Sequence, residues 1–240
     1  MLLDDSDLIF INEEFHAERV DRTRLDELLN EGWRHFGTQF FRYSLGIHET
    51  DIRRVVPLRI RLADFSPSKS QRRVIRQNAD LNVTIRPIEI TDEAAYLFHR
   101  HKQRFKFGVP DSLYDFLSDD PANIPCEAFE VVVRHDGKLL AASYFDMAAN
   151  SLSAIYGMFD PEFPSRSLGI FTMLKEIEFA ISNGKELYYQ GYAYEGESFY
   201  DYKKRFRATE RYDWKGKWEL CSPISLLTAD DADKTDENRI

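Results

Sequence analysis

The sequence predicts an α+β fold: a mixed, mainly antiparallel sheet with flanking helices, preceded by a smaller N-terminal α/β domain. Three observations predict it. Two apolar runs, Glu127 to Arg134 and Leu139 to Asp146, are joined by Asp136-Gly137, a strong hairpin signal. Leu152 to Phe159 is an aliphatic and aromatic run that stops at Asp160-Pro161, as a strand ended by proline does. Beyond it Ile170, Phe171, Leu174, Ile177 and Ile181 recur at helical steps, Gly184 supplies a stop, and Leu187 to Tyr192 reads as a further buried strand. Three antiparallel strands, a crossover helix and one more strand follow from these.

The elements before this core are shorter. Asp7 to Val20 reads as strand or irregular chain, and Asp21 to Glu31 as an amphipathic helix with Leu25, Leu28 and Leu29 inward. Gln39 to Tyr43 and Val55 to Leu62 have strand character, and Ser66 to Lys69 reads as a turn. Asn82 to Ile90 alternates as a strand interrupted by Pro87. Thr91 then caps a helix with Asp92 and Glu93 in its first turn, and Asp111 to Ser118 reads as a second short helix. The expected organisation is an N-terminal domain over residues 1–86, a larger domain carrying the main sheet over 87–225, and a disordered acidic tail over 226–240.

The 240 residues carry a net charge of −9, unevenly spread. Residues 1–31 hold ten acids against three arginines, whereas Arg53 to Arg76 holds eight basic residues against Asp64 alone, and Lys203, Lys204, Arg205 and Arg207 add a second basic run. Two basic clusters on an acidic chain suit a phosphate backbone held at one face. No apolar run is long enough to span a bilayer, and the acidic N-terminus (MLLDDSDLIF) lacks the basic start of a signal peptide, so a cytoplasmic protein without membrane contact is expected. Cys126 and Cys221 have no metal-ligand spacing, and no metal site is expected. There is no Gly-x-Ser-x-Gly elbow and no Walker loop.

Arg166-Ser167-Leu168-Gly169 stands where a strand turns into a helix, a place that favours anions. In acetyltransferases of the GNAT type such a loop holds the pyrophosphate of coenzyme A, but here Phe171 occupies the position of the second small residue. Phe159-Asp160-Pro161, Ser167-Leu168-Gly169, Tyr188-Tyr189-Gln190-Gly191-Tyr192 and Tyr202 to Arg207 together resemble the arginyl-tRNA–protein transferases and their bacterial relatives, the aspartate/glutamate leucyltransferases. Upstream, Phe65 to Arg73 and Asn78-Ala79-Asp80-Leu81 resemble the same family's F-x-PSRSQRR and RNADL segments, so the likeness runs from about Gly32 to Trp214. Two departures stand out: Phe41 to Asp51 carries none of the cysteines the family clusters there, and Arg207 is followed by Ala208 rather than proline.

The resemblance implies a GNAT-like acyltransferase core. It implies transfer of arginine or leucine from aminoacyl-tRNA to the N-terminal amine of an acceptor protein or peptide, with acidic N-termini favoured as in an N-degron pathway. The co-substrate is the charged tRNA; no other cofactor and no DNA are implied. The ester is already activated, so the enzyme must position the amine, take up a proton and stabilise an oxyanion. Candidate catalytic residues are Tyr192, Tyr194 and Asp146. Candidate tRNA- or substrate-binding residues are Arg42, Ser70, Gln71, Arg72, Arg73, Arg76, Arg166, Ser167, Leu168, Gly169, Lys203, Arg205 and Arg207. Two alternatives stay open: a GNAT enzyme using acyl-coenzyme A, and a non-catalytic relative that binds N-termini or RNA.

Overall fold

Local signals account for most elements of the chain, seen here in a computed structural model that describes residues 9–48, 50–105 and 108–221. Strand β1 (Asn12–His16) leads to helix α1 (Arg22–Asn30). The Asp21 carboxylate accepts the N–H groups of Thr23 and Arg24, and Leu25, Leu28 and Leu29 form the buried face. Strands β2 (Arg34–Phe36) and β3 (Gln39–Tyr43) complete a small antiparallel sheet in the order β1-β3-β2. A hairpin of β4 (Leu45–His48) and the long β5 (Asp51–Arg61) follows.

The expected turn at Ser66–Lys69 is the cap of an unforeseen helix, α2 (Lys69–Gln77). Ser68 and Gln71 form a reciprocal capping box. Then come β6 (Asn82–Pro87), α3 (Asp92–Lys102), and the antiparallel strands β7 (Ala128–His135), β8 (Lys138–Met147) and β9 (Ser151–Phe159). The Asp136-Gly137 hairpin forms as expected, with both residues at positive φ, 47° and 82°. Helix α4 (Leu168–Ser182) crosses to β10 (Leu187–Tyr194), which is followed by a single turn α5 (Asp201–Lys204) and strands β11 (Thr209–Tyr212) and β12 (Trp218–Leu220). The helix expected over Asp111–Ser118 is only a 3-10 turn at Leu113–Asp115. There the Ser112 and Asp115 side chains accept local backbone N–H groups that a longer helix would use differently. The tail 226–240 lies outside the described residues.

The nine-stranded sheet runs β12-β11-β5-β10-β9-β8-β7-β6, with β4 added to β5. It is mainly antiparallel, with α4 linking the parallel pair β9 and β10, and so forms the expected GNAT-like core. Strands β5 and β6, from the first 87 residues, belong to this sheet, and the expected boundary at residue 86 falls inside β6. Alternation along β7 sends Val131 and Val133 to the core under α4 and Val132 to the core under α3. Ile181, expected inward on α4, is 49% exposed; Thr172, Met173, Glu176 and Ala180 complete the buried face instead. No helix among the described residues is long and apolar enough to cross a membrane.

The small sheet is seated by aromatic packing. Phe40 is buried and stacks on Phe15 at 4.9 Å and on His35 at 4.8 Å. Replacing it, Phe40→Ala, is expected to cost about 3–5 kcal/mol of stability. Urea denaturation checks this, and an unmoved midpoint would contradict the assigned packing.

Candidate active site

The parallel pairing of β9 with β10 lasts for three positions, Leu187 to Tyr189 against Ser151 to Ser153. Past them, β10 takes up a bulge between Tyr189 and Gly191 and continues only with β5, leaving β9 without a partner on that side. Gly191, at φ 87°, makes that bend possible. Backbone groups in such a gap need other partners. Arg34, from β2 of the small sheet, supplies them: its Nη1 donates to Ser153 Oγ at 2.9 Å and its Nη2 donates to the Ala154 carbonyl. A buried guanidinium from one sheet thus fills the opening in the other.

A second cation arrives from another element of the chain. Lys203 in α5 has a partly exposed stem, but its ammonium turns inward and donates to the Tyr192 carbonyl at 3.0 Å. A Cβ placed on Gly191 would lie 3.4 Å from Lys203 Nζ and 3.5 Å from Arg34 Nη2, so both charges border the space that the missing side chain leaves free. Burial, helped by the Arg34 charge, pushes the Lys203 ammonium down to about 7. Its ring neighbour is Tyr200, with Nζ 5.0 Å from the centroid. Gln190 is buried at the bulge. Its Nε2 donates to the Lys203 carbonyl at 3.0 Å, while its Oε1 has no partner among the described residues.

Two carboxylates face this charge. Glu176 on α4 accepts the Tyr188 hydroxyl at 2.6 Å; burial pushes its carboxyl up to about 7, against the opposing pull of that hydrogen bond and of Arg34. Burial also raises the Tyr188 hydroxyl well above its ordinary value. Asp146 acts on Arg34 electrostatically and is hydrogen-bonded to His35 Nε2 at 3.0 Å and to Cys126 Sγ at 3.3 Å. Both oxygens of this candidate proton acceptor are therefore engaged.

The other expected site residues separate into two groups. Tyr192 and Tyr194 share a face of β10 and anchor the N-terminal region: Tyr192 donates to the Gly32 carbonyl at 2.6 Å, Tyr194 to that of Ile47 at 3.1 Å, and burial raises both phenols. Arg42 pairs with Glu13 at 2.7 Å and covers Trp33 at 4.8 Å. Gln71 is buried in its capping box. Arg166 holds Asp80 through two bonds of 2.8 Å, Ser167 takes a left-handed φ of 49° at the α4 start, Leu168 is buried, and Gly169 leaves 3.2 Å for the Phe159 ring. Ser70, Arg72, Arg73 and Arg76 are exposed on α2, and Arg205 and Arg207 are exposed after α5. The structure brings these basic segments together, because Phe65 stacks on Phe206 at 6.3 Å and Arg207 donates to Ser66 Oγ at 3.1 Å. Arg34, Glu176 and Gln190 were not singled out from sequence.

The Lys203 environment has a consequence for stability. Its folded value of about 7 lies below the value of about 10.4 for an unfolded lysine. Between them the unfolded chain holds a proton that the folded chain has released, so stability rises with pH by up to about 1.4 kcal/mol per unit. Lys203→Met is expected to remove this slope between about pH 7 and about pH 9. Urea denaturation of both proteins checks it, and parallel pH dependences would contradict the burial of a titrating ammonium.

The sequence matches known proteins over most of its length. The family described as "Arginine-tRNA-protein transferase, C terminus" matches residues 94–213, and its N-terminal counterpart matches residues 5–73. An aspartate/glutamate leucyltransferase of Xanthomonas euvesicatoria is 35% identical over 175 residues, spanning 68% of this chain and 70% of that protein. One of Leptospira interrogans is 29% identical over 192 residues, spanning 78% and 73%. The crystal structure of FemX covers 90% of this chain and 74% of its own at a TM-score of 0.51 and 14% identity, a likeness of fold alone. With both terminal signatures in order, and a relative at 35% identity over most of each chain, this chain belongs to the arginine-tRNA-protein transferase family and is an aminoacyltransferase.

Proposed function

We propose that this enzyme moves leucine from leucyl-tRNA to the α-amine of a protein or peptide that begins with aspartate or glutamate, and that the strand gap is where it does so. The observation that carries the reading is the pair of buried cations, Arg34 and Lys203, that border the same space beside Gly191. The donated residue and the acceptor class follow the names of the relatives. Aromatic rings around Lys203 support an apolar donor: Tyr200 lies beneath the ammonium and 6.1 Å from Tyr194, and Tyr43 is 5.2 Å from Tyr192. Of the acids in this segment, Asp201 is committed to Lys204 and Ser198, and Glu195 lies 3.8 Å from Arg54.

In this mechanism the acceptor nitrogen attacks the ester carbonyl of the charged tRNA and forms a tetrahedral oxyanion. The fixed positive charge of Arg34 favours that oxyanion over the neutral ester. Lys203, near half-neutral at physiological pH, takes the proton released by the amine. As the carbonyl re-forms, the bond to the ribose oxygen breaks and that oxygen takes the proton from Lys203. The tRNA backbone lies against Lys69, Arg72, Arg73 and Arg76 of α2 and against Arg205 and Arg207, which are solvent-facing and adjoin one another. Acyl-coenzyme A is disfavoured by the α4 start, where Arg166 is held by Asp80 and Phe171 is packed in the core.

The test supplies tRNA charged with labelled leucine or arginine, and separately acetyl-coenzyme A, to peptides beginning with Asp, Glu or Ala. Leucine is expected to move to Asp and Glu peptides in a ribonuclease-sensitive reaction. Lys203→Met is expected to slow single-turnover transfer about 10²- to 10⁴-fold while leaving tRNA affinity unchanged. Acetylation without transfer from either tRNA would overturn the reading, as would tight tRNA binding without turnover.

A further inference from the structure

His35 of β2, Cys126 of the loop before β7 and Asp146 near the end of β8 meet in the seam between the two sheets, and none is more than 4% exposed. His35 Nε2 lies 3.0 Å from Asp146 Oδ2, and Cys126 Sγ lies 3.3 Å from Asp146 Oδ1 and 3.7 Å from His35 Nε2. The other ring nitrogen, His35 Nδ1, faces the Gly37 carbonyl at 2.9 Å. A carbonyl only accepts, so Nδ1 carries a proton and a neutral ring presents a lone pair at Nε2. That lone pair meets a carboxylate, which in its charged form is also acceptor-only. Cys126 has one S–H and can satisfy one carboxylate oxygen. The arrangement therefore calls for a cation between His35 Nε2 and Asp146: either a second ring proton or a metal ion.

We propose that His35, Cys126 and Asp146 form a structural binding site for a divalent transition-metal ion, zinc by the chemistry of its ligands. Zinc takes imidazole nitrogen and carboxylate oxygen at about 2.0–2.2 Å and thiolate sulfur at about 2.3 Å, which sets the corners of a tetrahedron about 3.3–3.6 Å apart. The edge from Cys126 Sγ to His35 Nε2, 3.7 Å, and that from either of these atoms to its nearer Asp146 oxygen, 3.3 or 3.0 Å, fall within a few tenths of an ångström of those values. With one oxygen of Asp146 as ligand the three atoms lie within 4.8 Å of one another, so a turn of the carboxylate sets the remaining edge. A mixed N, S and O set suits zinc and excludes magnesium and calcium, which take oxygen ligands. The Nδ1 bond to the Gly37 carbonyl is the support a metal-bound imidazole ordinarily has, because it fixes both tautomer and ring plane.

Charge also balances. A divalent ion with one thiolate, one carboxylate and a neutral imidazole sums to zero. Zinc uptake therefore leaves no net charge in the seam, and it releases the Cys126 thiol proton. The ion would lock β2 against the main sheet and hold the adjacent Arg34 in the strand gap.

The full chain, expressed with zinc in the medium and desalted, is expected to retain about one zinc per chain. After chelation, cobalt(II) is expected to give tetrahedral visible bands and a thiolate-to-cobalt charge-transfer band. Titration in two buffers of different ionisation enthalpy is expected to show proton release on ion uptake. Cys126→Ser removes the charge-transfer band, and Cys221→Ser, at the other cysteine, keeps it. Zinc below about a tenth per chain with no charge-transfer band from the wild-type protein would mean that the trio holds only a proton, and would overturn the proposal. So would a band lost with Cys221 instead. The wild-type spectra need no variant to fold, and none of these readouts depends on transfer.

Discussion

Arg34 reaching into the gap between β9 and β10 is the constraint on which the rest of the site depends. A sheet that splays leaves backbone groups without partners, and burying them uncompensated is costly. The guanidinium satisfies the Ala154 carbonyl and the Ser153 hydroxyl together, but it does so from another sheet. The small N-terminal sheet must therefore dock in one position, and the contacts that hold it serve the same end. Tyr192 bonds the Gly32 carbonyl two residues before Arg34, Phe40 stacks on His35 one residue after it, and His35 is bonded to Asp146 of the main sheet.

Placing a fixed charge there shapes its neighbours. Lys203 is held as a weak base because burial leaves its ammonium little water and, in addition, Arg34 lies close by at Gly191. Glu176 is driven the other way by burial and meets the lysine at about the same value, near 7. One centre thus holds an acid and a base that both titrate near neutrality. It suits a reaction in which a proton leaves an amine and returns to a ribose oxygen. The basic residues of α2 and of the segment after α5, proposed to meet tRNA, are of another kind: they are exposed, and such charges act through number and position.

Much of the fold was legible because its signals are local. The Asp136-Gly137 hairpin, the α4 stripe and the strand that stops at Asp160-Pro161 each announce themselves within a few residues. Insertion of β5 between β10 and β11 could not be read this way, because its partners lie more than 120 residues along the chain. The site was harder still. Lys203 belongs to a basic run, yet its ammonium turns inward; Glu176 is a carboxylate within a helix, and nothing in its neighbours along the chain marks it as buried. Tyr192 and Tyr194 share one face of β10, but their hydroxyls are bonded to backbone carbonyls. His35 and Asp146 are 111 residues apart and His35 and Cys126 are 91 apart, so ligand spacing within the sequence carries no trace of their meeting.

The central claim is that burial, helped by the charge of Arg34, lowers the basicity of Lys203 and that Lys203 accepts the proton in transfer. The most direct measurement is the pH dependence of single-turnover transfer from leucyl-tRNA in the wild-type enzyme and in Arg34→Gln. The account predicts a rate that rises with pH through an inflection at about 7 in the wild type. It predicts an inflection displaced upward in Arg34→Gln, because removing a neighbouring positive charge makes the ammonium hold its proton more tightly. An inflection that stays in place when Arg34 is replaced would contradict it.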